Sequence, residues 1–451
     1  MAGNDLIGDT GRPLDDGRLK RALQELRRTD NFTNWMYIGR AYAIVALASG
    51  AAILFHQWQP AAGVSFWWNV PVWGVAIVLA GASQHQLAGA THEATHQILF
   101  KHRLLNELVS DWLCMFPLFS STYTFRLHHL AHHQFINDPA RDPDFAQLRQ
   151  SGHWLGFPVA KTTFLRMLLT QLLLAPLVRY TIARARFNAV GVHENPYTDA
   201  GRSFSAWPMR IAIAYVFALA PALALATWMD EARLLAAVPA VGLASVTAVL
   251  LAIPAHRYPV ARLRPVVAAR TTLISRLTFA TLLFAGVAWT QHVTGAPVWV
   301  YFSLLWIAPL FTTFAFFMML RQLVQHGNAD RGWLTNTRTF LVNPLVRYAV
   351  FPFGMDYHLP HHMYATVPHY RLPALHRFLT QDPEYARRGR VVEGYFFPRT
   401  GASGRNPTVL DVLGPEYSMR GDEIFVDAAV LDGCLEDDAS AVPGRGPARS
   451  G

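Results

Sequence analysis

Six apolar runs punctuate the chain, at 35–55, 66–89, 211–228, 234–253, 272–290 and 297–320. Each is close to the ~20 apolar residues a helix needs to cross a bilayer, so the pattern predicts six membrane spans. A shorter run at 167–178 is bracketed by Arg166 and Arg179 and is expected to lie in the interface. Upstream, residues 18–28 put Leu19, Leu23 and Leu26 on one helical face, with Arg18, Lys20, Arg21, Arg27 and Arg28 around it. This amphipathic helix reads either as lying on the membrane surface or as solvated. Beyond 397 the chain is rich in Gly, Pro, Ser, Asp and Glu, apart from an apolar patch at 424–435, and is expected to be largely disordered. The expected architecture is an all-α integral membrane protein, a helical bundle of about six spans. Its parts are an N-terminal segment 1–34, a membrane domain 35–397 and a polar tail 398–451.

Composition supports this frame, since 52% of residues are hydrophobic and only 15% charged. A net charge of +9 raises nucleic acid as a partner, but the basic residues are scattered among loops beside apolar runs, which favours a membrane surface. Their distribution also orients the spans. With the N-terminus inside, the outer connections 56–65 and 291–296 carry no formal charge, and 229–233 carries Asp230, Glu231 and Arg233. The inner connection 254–271 holds Arg257, Arg262, Arg264 and Arg270, as the excess of cytoplasmic Lys and Arg requires. Met1 to Asp30 lacks a secretory apolar core and is expected to stay on the cytoplasmic side, as is the C-terminus. Cys114 and Cys434 form no CxxC and imply no disulfide framework.

Three histidine clusters stand beside the apolar runs: His92-Glu-Ala-Thr-His96, His129-Leu-Ala-His132-His133 and His358-Leu-Pro-His361-His362. On a helix, residues three or four apart share a face, so HxxxH and HxxHH each aim two imidazoles at one point. The adjacent third histidine of HxxHH lies about 100° away and can reach a second metal. Imidazole suits iron, zinc, copper and nickel, and eight such groups are too many for one tetrahedral zinc, so two metals are more economical. With 19 histidines in 451 residues, independent placement yields HxxHH about 0.03 times per chain, which makes two copies a poor coincidence. Span parity puts all three clusters on the cytoplasmic face. An odd number of intervening spans would have separated them by a membrane.

With these motifs in this order, the chain resembles the membrane-bound fatty acid desaturase and hydroxylase superfamily over roughly 35–379. The resemblance also rests on Phe125-Arg126, on Asn137-Asp138-Pro139 and Asp142-Pro143-Asp144, and on Val367-Pro368-His369-Tyr370-Arg371-Leu372-Pro373. It implies a mushroom-shaped helical membrane domain whose cytoplasmic cap holds two non-heme iron ions. It also implies a further ligand between the last span and the third cluster, where His326 stands. The implied set is then His92, His96, His129, His132, His133, His326, His358, His361 and His362. Many relatives have Glu where this chain has Gln325, and Asn where it has Asp356. Gln322, one turn before His326, is a candidate to bind iron directly or through water. His128 is expected to support the ligands rather than join them. Among carboxylates able to accept a ligand's free ring N–H (Glu93, Asp111, Asp138, Asp142, Asp144 and Asp356), Glu93 and Asp144 are foremost.

The implied chemistry is oxidation of a lipid hydrocarbon by O2, foremost fatty acyl desaturation. Hydroxylation of an acyl, carotenoid or other lipid is the alternative. Electrons must come from outside, because the chain has no flavin or nicotinamide glycine fingerprint and no HPGG of a fused cytochrome b5. A ferredoxin, or cytochrome b5 with its reductase, is implied, and the basic inner loops offer an acidic carrier a landing site. Two rival readings are an intramembrane zinc protease, from the literal HExxH at 92–96 and Leu431-Asp432-Gly433, and a metal transporter. The protease leaves two clusters unexplained, and transport sites lie within spans near the midplane.

Overall fold

The computed structural model describes residues 16–190, 197, 205–258, 261, 263–397 and 406–417. In chain order α1 (Asp16–Leu26) precedes the first two spans, α2 (Thr33–Trp58) and α3 (Asn69–Thr95). Then come α4 (Arg103–Ser110), α5 (Thr122–Gln134), α6 (Pro143–Ser151), α7 (Lys161–Thr170) and α8 (Ala175–Ala185). Spans α9 (Trp207–Trp228), α10 (Ala232–Ala252) and α11 (Ala269–Thr294) follow. The sixth span is segmented into α12 (Val298–Phe302), a π turn, α13 (Ala308–Phe311) and α14 (Thr313–His326). The cap is completed by α15 (Pro344–Val350), α16 (His358–Met363), α17 (Leu372–Leu379), α18 (Pro383–Arg388) and α19 (Val409–Val412). A two-stranded parallel sheet pairs β1 (Arg338–Leu341) with β2 (Arg390–Glu393).

All six apolar runs are therefore helices long and apolar enough to span a membrane. Only 17% of the most apolar stretch of the first span and 22% of the fourth is buried inside the protein, and Leu47, Leu54 and Val241 face outward. Outward apolar surface of this kind is what a lipid solvent requires. Exposed Trp58, Trp67, Trp68 and Trp228 lie at the span ends remote from the histidines, where amphipathic rings favour a membrane–water interface. The shorter run at 167–178 is no single helix: 161–173 and 175–190 meet at 89°, with Leu174 in the left-handed region at φ 63°.

The polar end of α3 is what makes the site possible. A 27-residue helix is about 40 Å long, against a hydrocarbon thickness of ~30 Å, so its last turns project out of the membrane. Every residue from Ala80 to Thr95 is buried, which shows that these turns enter a protein environment. α3 crosses α14 at Gly81, where a Cβ would lie 2.0 Å from Thr313 Oγ1 and 2.7 Å from the Phe314 nitrogen. Thr313 Oγ1 donates to the Ile77 carbonyl at 2.9 Å, so the crossing cannot widen without losing that bond. Gly81→Ala is expected to destabilise by about 1–3 kcal/mol through overpacking. The check is a lowered thermal midpoint in detergent.

Two sequence expectations change in the fold. The apolar face of α1 is spent inside the protein: Leu23 and Leu26 are buried with Leu359, Met363 and Leu375 of the cap. Cap packing thus claims the stripe that was assigned to lipid or water. The tail also contributes to the core, because Val409, Leu410, Val412 and Leu413 are buried with Phe164, Phe340 and Phe351. Asn328 Nδ2 donates to the carbonyls of Val412, Gly414 and Tyr417, tying this segment to the chain just after His326. The apolar patch 424–435 and the Leu431-Asp432-Gly433 motif lie outside the described residues.

Candidate metal centre

His92 stands in the last turn of α3 with His96 just beyond it, α5 carries His129, His132 and His133, α14 ends on His326, and α16 carries His358, His361 and His362. The nine imidazoles fall into two groups. His92, His96, His129, His133 and His361 present donor atoms all within 4.8 Å of one another, and so do His132, His326, His358 and His362. The 100° step between helix neighbours explains the division: His132 and His133 point to different groups, as do His361 and His362. Each HxxHH box therefore serves both groups. The His133 and His362 rings stack at 4.2 Å where the groups adjoin.

The donor geometry fits metal ions. Nε2–Nε2 separations are 2.9 Å for His96–His129, 2.9 Å for His326–His358, 3.0 Å for His358–His362 and 3.1 Å for His133–His361. Two imidazole nitrogens each ~2.1 Å from one ion and ~90° apart would lie about 3.0 Å from each other. Neither ring nitrogen of His92 has a hydrogen-bond partner among the described residues, although the side chain is 2% exposed. An unsatisfied buried donor set of this kind is what an ion-binding site presents. Burial, reinforced by neighbouring imidazoles, holds His129, His133, His358, His361 and His362 well below the ordinary histidine pKa. They stay neutral, which is the ligating form.

The supporting layer differs from the sequence ranking. Asp142, not Glu93 or Asp144, grips a clustered histidine closely, with its oxygens 3.0 and 3.1 Å from His132 Nδ1. Burial depresses the His132 pKa, but the Asp142 and Asp144 carboxylates outweigh it and raise it to about 9. The hydrogen bond to Asp142 holds one ring proton on Nδ1, and the proton on Nε2 is the one that a metal would displace. Asp142 is itself positioned by the backbone N–H groups of Asn137 and Asp144, both at 2.9 Å, as the N-cap of α6. Asp142→Asn is expected to cost roughly 10–100-fold in metal affinity, the usual loss when such a partner is removed. Competition with a chelator measures it.

The other candidates are placed as follows. Asp144 Oδ1 lies 2.7 Å from His128 Nε2 and accepts from Gln322 Nε2 at 3.0 Å, while its Oδ2 is 3.8 Å from His132 Nδ1. Gln322 Oε1 accepts from the Tyr180 hydroxyl, so both ends of its amide are committed. Glu93 Oε1 lies 3.5 Å from His92 Nδ1, and its Oε2 accepts the His369 backbone N–H at 2.8 Å. His369 is buried in the cap, with Nε2 2.8 Å from Asn34 Oδ1. Asp356 pairs with Arg347 at 2.9 Å.

Two buried arginines fix the helix ends at His96 and His326; sequence reasoning quoted Arg126 only as part of a family motif and passed over Arg338. Arg126 donates to the Ala94 and Thr95 carbonyls at 2.8 and 3.1 Å, and to both Glu107 oxygens at 2.7 and 3.1 Å. Arg338 donates to the Val324 and Gly327 carbonyls at 3.1 and 2.6 Å. Each cation sits on the negative end of a helix dipole and satisfies its last carbonyls. Beside the histidines opens a pocket whose lining includes His92, Phe125, His129, Arg184, Arg321 and Gln325. Arg321 directly follows the sixth apolar run, so in the sequence its charge marked only the end of that run.

These features define a multi-pass helical membrane protein with a paired histidine centre at one end of its spans. The fatty acid desaturase family model matches residues 65–289 and 276–392, and the chain belongs to that family. It is also 30% identical over 135 residues to the dihydrorhizobitoxine desaturase of Bradyrhizobium elkanii. That match covers 30% of this chain and 34% of the relative, so it spans about a third of the relative's length.

Proposed function

We propose that this protein is a membrane-bound oxidoreductase that desaturates the hydrocarbon part of a lipid with O2 at a di-iron centre held by the nine histidines. The observation that carries this reading is their division into five donors and four around two points, all of them buried except the half-buried His326. Iron with dioxygen supplies the oxidising power for an unactivated C–H bond, which acid and base side chains lack. Two C–H bonds break and one carbon–carbon π bond forms. O2, two electrons and two protons take up the hydrogens as two waters.

The chain's own residues do the positioning. Asp142 keeps the His132 proton on Nδ1. Asp144, His128, Gln322 and Tyr180 form a continuous hydrogen-bonded chain along one side of the pocket. Phe125, 7% exposed, stacks at 5.7 Å from His129 and limits water there. Electrons come from a ferredoxin or from cytochrome b5 with its reductase. Exposed Arg257 and Arg264 offer an acidic carrier a landing site, and the charge pattern of the connections supports a cytoplasmic cap and cytoplasmic termini. Arg262 lies outside the described residues.

The HExxH protease reading is disfavoured by Glu93, which is fully buried and engaged by the His369 N–H rather than facing a water site. The test is lipid profiling by mass spectrometry after expression of wild type and His132→Ala, with iron quantified in the purified proteins. Two irons per chain and products lacking two hydrogens are expected for wild type alone. Products that gain one oxygen instead would move the assignment to hydroxylation, and zinc with peptide hydrolysis would overturn it.

A further inference from the structure

Arg321 and Arg184 line the same pocket as His92, His129, His132 and His358. Arg321 is 9% exposed. Its Nη1 donates to the Met355 sulfur, a weak acceptor, and its Nε has no hydrogen-bond partner among the described residues. Arg184 is half-buried, with its guanidinium 5.8 Å from the Phe125 ring and 6.0 Å from the Phe314 ring. Among the described residues neither arginine has a carboxylate within ion-pair distance.

The carboxylate in the pocket lining is Asp144, and it is taken: His128 and Gln322 hold one oxygen, and His132 faces the other. Two guanidinium groups therefore share a pocket with one committed carboxylate. Imidazoles add no negative charge whether neutral or protonated, and metal ions bound by them would add positive charge. A buried cation left uncompensated costs several kcal/mol, and a ligand anion removes that cost. An ester or thioester carbonyl would not.

We propose that Arg184 and Arg321 form a carboxylate-binding subsite, so that the substrate is a free carboxylic acid whose anionic group lies close to the carbon being oxidised. This rests on the desaturase reading and narrows its substrate class from lipids in general to unesterified acids. Arg forks match carboxylate oxygens in geometry, and aromatic faces beside Arg184 hold its plane in place.

The test uses detergent-purified, iron-loaded protein and calorimetric titration with hexanoate and hexanamide, which differ in charge but hardly in shape. Hexanoate is expected to bind at least tenfold more tightly. Arg321→Gln and Arg184→Gln are each expected to weaken hexanoate by roughly 10–100-fold, the weight of a charge-assisted bond. Hexanamide affinity and iron content stay at wild-type values, and Arg321→Lys recovers part of the loss. Equal binding of acid and amide, or no binding of either, overturns the subsite even if an arginine variant fails to fold. Hexanoate affinity that survives both Gln substitutions assigns the carboxylate to the metal and overturns it too. A parallel turnover assay with O2 and a reductant compares free acids with their methyl esters. Oxidation of the esters alone sinks the substrate class while leaving the desaturase reading intact. Oxidation of neither, in protein carrying two irons, counts against that reading instead.

Discussion

Replacing His326 with alanine is expected to abolish turnover and to lower iron from two per chain toward one. His326 supplies one of four donors in the smaller group, so its loss leaves three, whereas His361→Ala leaves four in the larger group. The two variants should therefore differ in metal content although neither turns over. Loss of a partner behind a ligand costs roughly 10–100-fold in affinity, and loss of a ligand itself must exceed that. Metal analysis by mass spectrometry, with Mössbauer spectra of iron-57-loaded protein, distinguishes one iron environment from two. Two full irons in His326→Ala would remove it from the ligand set. Its position is otherwise secured from behind: Nδ1 lies 3.2 Å from the Asn336 carbonyl, and Arg338 caps the helix end on which it sits.

Glu107→Ala is expected to be the most destabilising change outside the histidines, at about 3–5 kcal/mol, because it strands the buried Arg126 cation. Arg126 and Glu107 are 3% and 1% exposed, so solvent screens their bidentate pair little. The cost reaches the site through geometry. Arg126 lies on α5, one turn before His129, and grips the carbonyls of Ala94 and Thr95 immediately before His96. Asn106 reinforces that point, donating to the Ala94 carbonyl at 3.1 Å and accepting the Leu99 N–H at 3.1 Å. Loosening the pair should both lower the unfolding midpoint and weaken metal binding in the five-membered group before the four-membered one. Glu107→Gln, which keeps shape but not charge, is expected to fall between wild type and alanine. A thermal series in detergent with stepwise chelation measures both effects.

The histidine spacing was legible because it is local. HxxxH and HxxHH report one helix face each, and parity of the apolar runs placed those faces at one end of the bundle. His326 had no such spacing and entered through resemblance to known proteins. The ranking that put Glu93 and Asp144 foremost among the carboxylates could not see how the chain folds between α5 and α6. The contact that matters, Asp142 to His132, is set by a turn after α5 that folds back as the N-cap of α6. The N-terminal helix shows the same limit: its leucine stripe was visible, but a stripe names no partner, and the cap rather than lipid covers it.

The sequence alone thus determined the six apolar spans, the histidine-bearing faces and their common side, since each follows from periodicity or length along one segment. Tertiary structure decided how nine imidazoles divide into five and four, which carboxylate holds which ring, and that two arginines share the pocket beside them. Those outcomes depend on the register between packed helices, as at the Gly81–Thr313 crossing. A shift of an ångström there regroups donors that hold metals only within about 2 Å of each ion.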